Sequence, residues 1–306
     1  MPTEEFAFDS HGVRCSGWRL RGHGDALTGP HGRPCVIMAH GFGATKDAGL
    51  APFAERFAQA GAEVVLFDYR GYGTSQGRPR QDVDHRRHRQ DYHSAIVAAR
   101  AIDGVDPDRL VLWGSSYSGG HVIPVAAADG RIAAVIAQGA AMDGFGALLL
   151  MLRVSGVRHV ARITAHALRD VLHAVARRPP HHIPVVGAPG ALAAIAAPGA
   201  EIGYQAIMGP TFRNEMCARG VLRIALNRPV TAAKHLRCPV LLVVAEDDNV
   251  APPSAVRAVA AAVPGPVEVL SLPSGHFDIY TGEMFTRSVD TQVNFLTRTL
   301  APALAA

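Results

Sequence analysis

The sequence predicts an α/β fold: a mostly parallel sheet flanked by helices, with a helical insertion over one end. Three observations carry that expectation. Short aliphatic runs such as Val64-Val65-Leu66 and Val240 to Val244 lack the polar alternation of a half-exposed strand, so both their faces are buried. Segments of helical periodicity alternate with them, which is the chain order of a parallel sheet. Between Gln138 and Cys238 the alternation stops, and helix-like apolar sequence and loops replace it. With 306 residues, 48% of them hydrophobic and 18% charged, the chain is long enough for one large domain with such an insertion.

Taken in order, Glu4 to Ser10 and Val13 to Leu20 alternate polar and apolar residues around His11-Gly12 and read as a hairpin at a sheet edge. Arg21 to Pro34 is a Gly/Pro-rich loop. Cys35 to Ala39 is a buried strand, followed by a helix running to about Ala60, with Phe53 and Phe57 on one face. Glu63 to Phe67 is the next strand, and Asp82 to Arg100 is helical. After the turn-like Asp106-Pro107-Asp108, Leu110 begins the strand that ends at Gly114, and Val122 to Ala128 is a helix. Ile132 to Gln138, Cys238 to Ala245 and Val267 to Leu272 are strands, with helices at Ser254 to Val263 and at about Arg287 to Leu300. These assignments divide the chain into a core, residues 1–140 and 238–306, and an insertion, residues 141–237. In the insertion, Gly146 to Leu152 and Val154 to Val175 read as helices and no strand is expected.

The chemistry concentrates where strands end. Gly114-Ser115-Ser116-Tyr117-Ser118 turns abruptly from strand to helix through small residues, as a nucleophile elbow must, because the serine occupies a strained backbone conformation at the tip. In this frame Ser116 is the nucleophile, and Ser118 stands where glycine is usual. A phosphate-binding loop has similar glycine spacing, but Gly120-His121 replaces the Lys and Ser/Thr it requires. His40-Gly41-Phe42-Gly43 follows the first buried strand, and its glycines allow outward-pointing amides. The N–H groups of Phe42 and Tyr117 are the expected oxyanion hole. Glu246, Asp247 and Asp248 compete for the orienting acid; spacing to Pro252 favours Asp248, and Asp143 is the alternative. His276, in Gly275-His276-Phe277, follows the last strand and completes the order Ser, Asp, His, which sets it apart from the other fourteen histidines.

These four motifs, in this order and spacing, resemble the α/β-hydrolase superfamily over nearly the whole chain, and the insertion resembles that family's cap. Gly119-Gly120-His121 with Gly275 to Tyr280 is similar to a subgroup of serine esterases and acyltransferases. The resemblance implies that Ser116 attacks an acyl carbonyl, that His276 moves the proton, and that Asp248 holds the histidine. It implies a serine hydrolase cleaving carboxylic esters of apolar acyl or aromatic substrates through an acyl-enzyme. An acyltransferase or thioesterase using the same residues is the alternative, and a non-catalytic binding protein the remote one. Phe145, Leu149, Ile195 and Met208 are the expected substrate contacts, with Leu148, Met151, Leu152 and Phe212 beside them. The insertion is expected to be a mobile lid, the competing use being a rigid cap or a homodimer interface.

Other classes find little support. The net charge of +4 is modest, and the run His85-Arg86-Arg87-His88-Arg89 sits among Asp82, Asp84 and Asp91, so it reads as a solvated helix face rather than a nucleic-acid site. No His/Cys/Glu spacing calls for a metal, His181-His182 reads as a pair without partners, and no cofactor is expected. Cys15, Cys35, Cys217 and Cys238 lie far apart, as free thiols of a reducing compartment would, so a cytoplasmic location is expected. The acidic residues near Met1 do not suggest a secretory signal. Ile183 to Ala200 is uncharged but broken by Pro184, Pro189, Pro198 and three glycines, which argues against a membrane span.

Overall fold

The structure is a computed structural model that describes residues 3–301, so Met1 lies outside the described residues. In chain order the elements are β1 (Glu4–Ser10), β2 (Val13–Leu20), β3 (Arg33–Ala39), α1 (Ala51–Gln59), β4 (Glu63–Phe67), α2 (His85–Arg100), β5 (Val105–Ser115), α3 (Tyr117–Asp129) and β6 (Ile132–Gln138). The insertion follows with α4 (Gly144–Val175), β7 (His182–Ile183), α5 (Ala200–Ile207), β8 (Met216–Cys217) and α6 (Val221–Ile224). The chain then returns through β9 (Val240–Ala245), α7 (Pro253–Ala262), β10 (Val267–Leu272) and α8 (Gly282–Leu300).

Eight strands form one sheet in the order β1-β2-β4-β3-β5-β6-β9-β10. The β1–β2 hairpin pairs antiparallel at one edge, and β4, β3, β5, β6, β9 and β10 run parallel. Successive side chains of a strand point to opposite faces. Ile37 therefore joins the core under α2, α3 and α7, while Val36 and Met38 join the one under α1 and α8. Both layers are buried, which is why the inner strands read as unbroken aliphatic runs. Burying one such side chain contributes about 1.5–3 kcal/mol, so the sheet is the stiff part of the molecule.

The sequence and structure differ at several points. β5 starts at Val105, and Asp106-Pro107-Asp108 is an irregularity within the strand, where the register with β3 shifts, rather than a turn before it. The helix after β3 begins only at Ala51, leaving 40–50 as loop, and α3 begins at Tyr117, directly behind the elbow. The insertion does contain strands: β7 and β8 pair antiparallel, two residues each, too short for periodicity to reveal. Its long helix breaks at Gly156, where φ is 83° and ψ 163°, so the two helical pieces meet later than expected. Nor is the basic run a solvated face throughout. His85 and His88 are buried, Arg87 reaches Asp82, and Arg89 donates to Asn227.

Candidate active site

The elbow is built as its sequence requires. Ser116 has φ 56° and ψ −119°, a left-handed conformation that is costly for a side-chain-bearing residue and persists because its surroundings hold it. Its N–H donates to the Gln138 carbonyl at 2.9 Å, and its carbonyl accepts from Ala141 N–H at 2.9 Å, so both sides of the serine are fixed to the end of β6 and the loop that follows it. A Cβ at Gly114 would overlap the Ser118 carbonyl, and one at Gly41 would press on the Ser116 side chain. Ser118 has its own function in place of glycine. Its hydroxyl donates to Ala39 O at 2.7 Å and accepts from Ser115 N–H at 2.9 Å, joining the ends of β3 and β5.

Three side chains far apart in sequence meet here. His276 Nε2 lies 3.0 Å from Ser116 Oγ, and His276 Nδ1 lies 2.6 Å from Asp248 Oδ2. The other carboxylate oxygen of Asp248 accepts from the N–H groups of Val250, at 2.8 Å, and Ala251, at 2.7 Å, which aims the acid at the histidine. The rival acids are committed elsewhere. Glu246 pairs with Arg257, Asp247 is exposed, and Asp143 accepts from Phe145 N–H at the start of α4 while pairing with Arg228 at 2.9 Å. Asp278 shapes the histidine turn by accepting from Gly275 N–H at 2.7 Å.

The loop after β3 is held from three sides. His40 Nδ1 lies 3.1 Å from Gly41 O; the ring is buried and burial lowers its pKa, so the neutral form donates from Nδ1. In a trans peptide the C=O and N–H point in opposite directions. Fixing Gly41 O therefore turns Phe42 N–H away from His40. Tyr204 of α5 donates to Phe42 O at 2.6 Å, and Lys46 donates through its backbone N–H and Nζ to the buried Asp68, each at 2.7 Å. Phe42 and Tyr117 also touch edge to face, with centroids 5.3 Å apart.

A second buried network links the elbow to the histidine loop. Ser115 Oγ lies 2.5 Å from Tyr280 OH, Ser288 and Gln292 of α8 donate to Gln138, and Trp113 Nε1 donates to Gln292. Sequence reasoning missed Tyr204, the contact of Tyr280 and this network, because nothing local marks a residue whose partner lies over a hundred positions away. His88, read as part of a solvated helix face, and His121, read only within the Gly119-Gly120-His121 motif, also lie here. Both are buried behind the elbow, their ring nitrogens lack hydrogen-bond partners among the described residues, and burial holds their pKa well below the usual value.

Two cavities open on Ser116. The larger, about 730 Å³ including open solvent at its mouth, runs under α4 between Ala147, Met151, Val154, Ile195, Ile224 and Val250, with Asn227 and Asn249 among its few polar groups. The smaller, about 360 Å³, lies on the His276 side between Ala48, Leu50, Ile207 and Phe277. Ile195, Phe42 and Ser116 border both. Of the expected substrate contacts, Ile195 borders both cavities. Phe145, Leu149 and Met208 are about half exposed and line neither cavity. The reason is helical phase: Gly144, Ala147, Met151 and Val154 share the cavity face of α4, and positions 145 and 149 fall off it. Phe212 packs against Tyr204 instead. His181 is not isolated, since its Nε2 lies 2.7 Å from His166 Nδ1 and its N–H donates to Asp170. Among the described residues no cluster of three or more His, Cys, Asp or Glu could hold a metal ion.

The fold and this arrangement define a class. A profile of the alpha/beta hydrolase fold matches residues 34–283, and the chain belongs to that family. It is 38% identical to the quorum-quenching protein AidA of Acinetobacter baumannii, over 95% of this chain and 93% of that one. It is 29% identical to the thiohydrolase aneE of Aspergillus aculeatus, over 94% and 92%. The crystal structure of the alpha/beta hydrolase GrgF from Penicillium sp. sh18 superposes with a TM-score of 0.79 at 24% identity, covering 98% of this chain and all of that one, a likeness of fold.

Proposed function

We propose that the protein is a serine hydrolase that cleaves carboxylic esters of apolar acyl or aromatic substrates through an acyl-enzyme. The observation that carries this reading is the hydrogen-bonded series Asp248–His276–Ser116 at the mouth of an apolar cavity. Ser116 Oγ attacks the acyl carbonyl as His276 Nε2 accepts its proton. The oxyanion forms against the N–H groups of Phe42 and Tyr117. His276 then gives the proton to the departing alkoxide while Asp248 stabilises the imidazolium, and water reverses these steps to release the acid.

The two cavities have separate uses in this scheme. The leaving group must lie beside the group that protonates it, and His276 lines the smaller cavity but not the larger. The acyl chain therefore occupies the larger, under α4. A thiolate leaving group or an alcohol acceptor would use the same smaller cavity, so thioester cleavage and acyl transfer are the readings to weigh against ester hydrolysis. The thiohydrolase name of one relative favours testing the thioester first. The four buried or partly buried free cysteines support a reducing, cytoplasmic setting.

An active-serine phosphonate, followed by peptide mapping, tests the scheme at its root: Ser116 should carry the label, and Ser116→Ala should carry none. Matched oxyester and thioester series, assayed in water and with added alcohol, then rank the three reactions. Failure of the phosphonate to label Ser116 while ester turnover persists would sink the assignment.

A further inference from the structure

The second half of α4 is apolar where it meets solvent. Helical spacing turns His159, Ile163, Ala167 and Asp170 inward, and these are its buried residues. On the opposite face stand Val157, Ala161, Ala165, Leu168, Leu172 and Val175. Of these Val157 is 71% exposed, Leu168 53%, Leu172 67% and Val175 78%. Isolated exposed aliphatics are ordinary, but a continuous stripe along five turns marks an interaction surface. Arg158, Arg162 and Arg169 form the row beside it, at positions i, i+4 and i+11, and all three are exposed.

The charge identifies what the stripe meets. From Gly144 to Arg178 the sequence holds six arginines and a single acid, Asp170, so this segment alone carries more positive charge than the whole chain's net +4. Asp170 is buried and paired with Arg219 at 2.8 Å. Among the described residues Arg153, Arg158, Arg169, Arg177 and Arg178 form no ion pair, and Arg162 donates only to the carbonyls of Gly190 and Ala191. A second copy of this face would offer apolar surface but no counter-charge. An anionic lipid surface offers both, since acyl chains accept the stripe and headgroups accept the arginines. By length and composition α4 could cross a membrane, but its second half packs one face on the protein and carries recurring arginines beside the other, which suits it to lying in a bilayer's interface.

We propose that the second half of α4 is a peripheral docking surface for an anionic phospholipid bilayer. The first half of the same helix, through Ala147, Met151 and Val154, lines the larger cavity, and Gly156 breaks the backbone between the halves. The lipid-facing surface and the cavity wall thus belong to one segment joined at a hinge.

Vesicle flotation of the full chain tests this with phosphatidylcholine alone and with phosphatidylglycerol mixed in. Wild type should float with the anionic vesicles and not with the neutral ones, and added salt should release it. Arg158→Gln with Arg169→Gln should weaken partitioning by about fivefold per arginine. Leu168→Glu with Leu172→Glu should abolish it. All four side chains are exposed, so an unchanged thermal midpoint serves as the folding control. Absence of flotation, equal flotation with both vesicles, or flotation kept by the Leu→Glu pair would each overturn the proposal. So would a dimer in sedimentation that the Leu→Glu pair disperses while vesicle binding stays absent.

Discussion

The central sheet and the insertion meet at Ser116, yet they are built on opposite plans. β4, β9 and the end of β5 bury every residue, on two faces, against five helices. The longest helix of the insertion buries only Gly144, His159, Ile163, Ala167 and Asp170 along its length. The sheet holds Ser116, Asp248 and His276 in loops at the ends of three strands, where a small shift would break the hydrogen bonds between them. The insertion supplies part of the wall of the large cavity, and its longest helix is far less buried than the strands. Dense and sparse packing are thus separated along the chain, and variants on each side should differ in kind.

The largest effects belong to the sheet. Ser116→Ala should lower kcat by about 10⁴-fold or more at an unchanged thermal midpoint, measured by ester turnover and calorimetry. Asp248→Asn should cost roughly 10⁴-fold by the logic of the orienting acid. Asp143→Asn, at the N-cap of the insertion's first helix, should leave kcat near normal and stability little changed, because asparagine can still accept from Phe145 N–H. If Asp143→Asn collapsed turnover and Asp248→Asn did not, the acid would belong to the other loop and the comparison would break.

The insertion should act on selectivity. Met151→Trp, on the cavity face of α4, should shift acyl chain-length preference in kcat/KM by about 1–3 kcal/mol, whereas Leu149→Trp, two residues away and half exposed, should be silent. Equal responses would mean that the phase of α4 in the working enzyme differs from that described. Tyr204 crosses the boundary, since it belongs to the insertion but holds a loop of the sheet. Tyr204→Phe should lower kcat by about fivefold, the equivalent of one hydrogen bond of about 1 kcal/mol, with KM little changed.

The smallest effect separates the regions by pH. Burial holds His88 and His121 neutral, with pKa values well below the ordinary 6.5, so the unfolded chain binds more protons as the pH falls. Stability is therefore full above about pH 6.5 and declines below it, by on the order of 1 kcal/mol per pH unit per histidine. His88→Phe should flatten the fall of the thermal midpoint between neutral and mildly acid pH. An unchanged slope would assign acid sensitivity to other groups.

Much of this protein could be read from its sequence, for a local reason. A strand buried on both faces must be aliphatic throughout, and an elbow must be small around its serine. A histidine in a small-residue turn after the last strand, Gly275-His276, stands out by its place in the chain order. Each of these requirements falls on neighbouring residues, so the order of strands, the insertion and the residues Ser116, Asp248 and His276 stand out in one dimension. Which acid faces the histidine was less legible, because Glu246, Asp247 and Asp248 differ only in direction, and the Val250 and Ala251 amides decide it. Tertiary structure alone decided the rest. Tyr204 on Phe42, Tyr280 on Ser115 and the buried His88 and His121 depend on chain segments brought together from a distance, which leave no spacing to read. The cavity face of α4 depended on helix phase, and apolarity by itself did not distinguish Met151 from Leu149. The hydrophobic effect specifies that a side chain is buried or sticky, whereas its direction is fixed only by what packs on either side.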